Sequence, residues 1–87
     1  MELWIRSQDG TTLMKVDRLD IDYSSGLYLI KSNGFNTLLA NYKSEERAIE
    51  VLNEIQEAQL GNYHYRCPSN VKVSNNGNMI IYEMPKE

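Results

Sequence analysis

The 87-residue chain reads as an α+β fold: an antiparallel β-sheet in ββββαβ or ββββαββ order, with one amphipathic helix packed on one face. Three observations predict it. Short alternating apolar segments fill the first half of the chain, turn clusters punctuate them, and one long stretch repeats its apolar residues at helical spacing.

The first strand is residues 3 to 8, where "LWIRSQ" puts Leu3 and Ile5 on one face and Trp4 and Arg6 on the other. Asp9-Gly10 then signals a hairpin. From Leu13 to Tyr23 the alternation slips, with Met14 and Val16 apolar at even positions and Leu19, Ile21 and Tyr23 at odd ones. One extra residue exchanges the two faces of a strand, so a bulge or short break is expected near Asp17. The clusters "SSG" (24 to 26) and "SNGFN" (32 to 36) bracket "LYLIK", and "TLLANY" follows as a further strand. Four N-terminal strands with short connections make an antiparallel meander the simplest topology.

Ser44 is a good N-cap, and Glu45 and Glu46 stand where carboxylates favour the positive end of a helix. Ala48, Val51, Leu52, Ile55 and Ala58 form the stripe expected to cover the sheet, Glu46, Glu50, Glu54 and Glu57 take the other side, and Gly61 is the stop. After "NYHYRCP" (62 to 68), "NVKV" and "MIIYEM" read as one or two last strands on either side of "SNNGN".

A chain of this length forms one domain, residues 1 to 87, and buries roughly 60% of its unfolded surface, which favours binding over a deep catalytic cleft. Apolar residues are 41% and charged residues 24% of the chain, and no apolar run reaches the roughly 18 residues of a membrane span. The opening "MELWIRSQDG" has no leader pattern, so a cytoplasmic location is expected. With net charge −3 and five acids between positions 45 and 57, duplex nucleic acid is a poor partner.

His64 and Cys67, the chain's only histidine and only cysteine, have a spacing that suits two zinc ligands, but a structural zinc takes four. The same pair lacks the assured geometry of a base and a nucleophile. Asp17, Asp20 and Asp22 are more simply a solvated strand face than acid–base groups. Gly-rich phosphate loops are absent, and no cofactor or metal is expected. What remains is a contact set: Trp4 and Arg6 on one strand face, with Tyr63, Tyr65 and Arg66 after the helix. Aromatics stack on bases and arginine forks grip phosphates, so these five residues are the candidate ligand contacts.

The stretches "WIRSQD" (Trp4 to Asp9), "ANYKSEERAIEVLNEIQ" (Ala40 to Gln56) and "MIIYEMP" (Met79 to Pro85) resemble a widespread group of small proteins carried by phages and prophages of Gram-positive bacteria. The resemblance implies a free-standing, non-enzymatic protein acting inside the bacterial host. By analogy with other small phage proteins, it implies a counter-defence factor that sequesters a nucleotide messenger of host immunity. The alternative is an inhibitor or accessory factor that occupies a host protein through its acidic helix face or a sheet edge. A small domain offers little concave surface, so a homo-oligomer is expected to deepen the site.

Overall fold

The computed structural model describes residues 2–32, 37–60, 71–74 and 79–87. The elements run β1 (Glu2–Arg6), β2 (Leu13–Lys15), β3 (Leu19–Ser24), β4 (Leu27–Ser32), β5 (Thr37–Tyr42), α1 (Glu45–Gln59), β6 (Val71–Val73) and β7 (Met79–Glu83). The α+β class and its strands-helix-strands layout stand. Three details differ from the sequence expectation, one of them that the first and last strands pair in parallel where an antiparallel sheet was expected. The second expected strand is two strands, β2 and β3, separated at Val16–Arg18, where the apolar alternation slips. They belong to different sheets, one in the order β2-β1-β7-β6 and one in the order β3-β4-β5.

The meander survives as β3-β4-β5, antiparallel throughout. Its first turn has positive φ at both central residues, Ser25 at 54° and Gly26 at 80°, which matches the right-handed twist of the flanking strands. Between β4 and β5 the register shifts: Ile30 faces Ala40 while Lys31 faces Leu38. Leu39 is the extra residue and is buried, whereas Leu38 is turned outward.

The other sheet joins the chain's two ends. β1 makes the expected hairpin with β2, Ile5 opposite Met14, and on its other side pairs in parallel with β7, Leu3 opposite Ile80 and Ile5 opposite Tyr82. A parallel pair needs a long crossover, and here the intervening sheet and helix supply it.

Helix α1 starts where Ser44 Oγ accepts the Arg47 amide at 3.1 Å. Its buried residues are Ala48, Val51, Ile55 and Ala58, with Leu52 partly buried beside them. They pack with Leu3, Ile5, Ile30, Leu39, Ile80 and Tyr82 from both sheets in one core cluster. Full burial of a side chain such as Val51 or Ile55 contributes roughly 1.5–3 kcal/mol. The helix's acidic side is not uniform, because Glu54 turns inward and accepts the hydroxyl of buried Tyr82 at 2.7 Å. Among the described residues no helix is long and apolar enough to cross a membrane.

Candidate functional site: the outer face of the β1–β7 sheet

Strand alternation decides which side chains meet on this face. Leu3, Ile5, Ile80 and Tyr82 point into the core, so Trp4 and Arg6 on β1 and Met79, Ile81 and Glu83 on β7 point outward. The register then lines up one row across all four strands: Lys15 is opposite Trp4, Trp4 is beside Ile81, and Ile81 is opposite Lys72. An indole and a branched aliphatic side chain, both half-buried, form an apolar centre with an ammonium group at either end. With strands about 4.8 Å apart, the row spans about 14 Å between its terminal Cα atoms.

Both lysines carry loose partners. Lys15 Nζ lies 3.7 Å from Glu2 and Lys72 Nζ 3.5 Å from Glu83. The Trp4 indole N–H donates to Glu2 at 3.2 Å, and that bond, helped by Lys15, holds the Glu2 carboxyl below its usual range. Solvent-exposed pairs of this kind contribute little to stability, so a ligand can displace them at small cost.

Arg6 is exposed on the same face as Trp4, its guanidinium donating to the Gly10 carbonyl at 3.0 Å. One bond leaves most of its fork available. Tyr63, Tyr65 and Arg66 lie outside the described residues, as do His64 and Cys67. Of the five expected contacts, the structure therefore brings Trp4 and Arg6 together. Asp20 lies 3.0 Å from Arg18 Nε and Asp22 lies 3.5 Å from Lys31 Nζ.

The stretch Ser7–Thr12 at the end of β1 is a closed polar knot. Asp9 accepts from the Ser7 hydroxyl at 2.6 Å, the Thr11 amide at 3.0 Å and the Thr11 hydroxyl at 2.8 Å. Those bonds hold its carboxyl down at about 2, the Ser7 hydroxyl contributing most. Gly10 occupies the left-handed region at φ 79° and returns its amide to Ser7 O at 2.9 Å. "SQDG" is thus tied up in its own hydrogen bonds, and it holds the near end of the Trp4 face in place.

Lys15, Ile81 and Lys72 were missed as site residues because their neighbours come from pairings that the sequence does not display. Alternation in "MIIYEM" and "VKV" does assign faces, but not partners. A second feature also escaped prediction: a cavity of about 360 Å³ between the start of α1, the end of β5 and the C-terminal segment. Tyr42, on its wall, donates its hydroxyl to Pro85 O at 2.7 Å, and burial pushes that phenol up to about 12.

No protein-family model matches this chain, and neither do curated proteins or solved structures.

Proposed function

We propose that this protein is a non-enzymatic phage counter-defence factor that binds and sequesters a nucleotide-derived signal in the cytoplasm of its bacterial host. One observation carries the binding half: the row Lys15, Trp4, Ile81, Lys72, with Arg6 on the same face. A base stacks on the indole and on Ile81, and phosphates meet the lysines or the Arg6 fork. Base–aromatic stacking contributes roughly 1–3 kcal/mol per base. The biological half follows from the resemblance of Trp4–Asp9, Ala40–Gln56 and Met79–Pro85 to small phage proteins.

A platform leaves one side of a stacked base in water. A second copy laid over it would enclose the ligand, and the face carries the mixed charges that self-pairing needs, Lys15 and Lys72 against Glu2 and Glu83. Sequestration in a homo-oligomer is therefore part of the proposal, with Tyr63, Tyr65 and Arg66 as further contacts.

Trp4 is the chain's single tryptophan, so its fluorescence reports the proposed site directly. The test is a titration with linear nucleotides, cyclic nucleotides and ADP-ribose derivatives. Saturable quenching by one class, weakened about tenfold in Lys15→Gln and Arg6→Gln, supports the proposal. Unchanged fluorescence across the panel overturns it.

A specific feature also favours the protein-binding alternative. Ile49 is 44% exposed on α1, on the same side as Glu46 and Glu50. An apolar residue ringed by acids suits a basic host surface, and charge reversal at Glu46 and Glu50 should abolish such a complex.

A further inference from the structure

We propose that the cavity between β5, α1 and the C-terminal segment is a second binding site, specific for a small phosphate monoester carrying one flat apolar group. The ion-pair pattern points to it. Lys15, Lys31 and Lys72 each face a carboxylate, Arg18 faces Asp20 and Arg47 faces Glu50. Among the described residues, the two lysines that make no ion pair are Lys43 and Lys86, and both line this one cavity. In a chain of net charge −3, two lysines without ion-pair partners lining one concavity make a local site for an anion.

Arg47 adds a third cation at the wall. Its Nε donates to the Glu87 main-chain oxygen at 2.9 Å, and its guanidinium lies 5.8 Å from the centre of the Tyr42 ring. Arg47 is neutralised by Glu50 and Glu87 also lines the cavity, so the positive charge left for a ligand is that of Lys43 and Lys86. Leu27 and the Tyr42 ring supply the apolar wall. Recognition is by side chains and not by the helix end, since Ser44 already occupies the Arg47 amide. At about 360 Å³ the space stands at the small end of ligand sites, which selects a one-ring ester over a dinucleotide.

The test uses phenyl phosphate as probe and phenol as control, read by amide chemical shifts of the labelled full chain. Saturable shifts centred on Leu27, Tyr42, Lys43 and Lys86 are expected. Affinity should fall about tenfold or more in the Lys43→Gln/Lys86→Gln double variant, whose folding should be unchanged because neither lysine holds a protein partner. Three results overturn the site: no saturation by about 10 mM probe, equal binding of phenol, or equal affinity in the double variant. Quenching of Trp4 by the probe would report the sheet face, whose response the Lys43→Gln/Lys86→Gln variant leaves unchanged, so the two sites are read separately. Failure here therefore leaves the sheet-face proposal standing, and failure of that proposal leaves the cavity site standing.

Discussion

Gln8 grips Asn41 from both ends: its side-chain Oε1 accepts the Asn41 amide at 3.1 Å, and its Nε2 donates to the Asn41 carbonyl at 3.1 Å. The carboxamide thus copies the pairing of a neighbouring strand at the open edge of β5. The same Nε2 reaches Pro85 O at 3.1 Å and Lys86 O at 2.9 Å, while the Gln8 backbone amide donates to Leu39 O at 2.7 Å. One residue therefore ties the end of the first sheet to the edge of the second and to the C-terminal segment.

Gln8→Ala should destabilise the protein by roughly 1.5–3 kcal/mol, since several side-chain bonds at about 1 kcal/mol each, to Asn41, Pro85 and Lys86, are lost while the backbone bond to Leu39 stays. Gln8→Glu should be worse at neutral pH, because a carboxylate then faces carbonyl oxygens, and should recover partly in acid as it protonates. Denaturant unfolding at two pH values checks both. A Gln8→Ala midpoint equal to wild type would show that the Gln8 side chain adds nothing to the hold between the two sheets.

Asp9 makes stability depend on acid. Its carboxyl is held at about 2 in the folded chain against an ordinary 3.8, so the folded state favours the ionised form. The resulting stabilisation is complete above the unfolded value and is lost as pH falls from about 4 through about 2. Asp9→Asn keeps an acceptor but removes the charge. The melting-temperature gap between wild type and this variant should therefore be widest near neutral pH and close across that acid window. A gap independent of pH would place the effect in the turn's shape and not in its charge.

The Ser25-Gly26 turn predicts two substitutions of opposite sign. Gly26→Ala places a Cβ on a residue at φ 80°, and although the space around it is open, the left-handed backbone itself costs about 1–2 kcal/mol. Ser25, at φ 54°, is a non-glycine residue in the same region, where asparagine is favoured, so Ser25→Asn should gain a few tenths of a kcal/mol. Thermal melts separate them, because about 1 kcal/mol moves the midpoint of a domain this size by roughly 4–8 °C.

Local rules made most elements legible. Helix α1 announced itself through Ser44, its acidic first turn and the Ala48, Val51, Ile55, Ala58 stripe, all of which depend on neighbours within one or two turns. The hairpin at Asp9-Gly10, the turn at Ser25-Gly26 and the break near Asp17 were legible for the same reason, being set by two to five consecutive residues. Alternation likewise placed Trp4 and Arg6 on one face.

Pairing between distant segments was not legible. Nothing within "LWIRSQ" or "MIIYEM" states that Trp4 stands beside Ile81, because a parallel pair is selected by which surfaces bury together after the crossover has packed. By itself, the sequence determined the class, the helix, the turns and the sharing of one strand face by Trp4 and Arg6. Only the tertiary structure decided that β2 and β3 part into two sheets, that Lys15 and Lys72 close a row around Trp4, and that Gln8 bonds Asn41. Those relations join residues remote in the chain, and long-range burial and hydrogen bonding choose them where local propensity is silent.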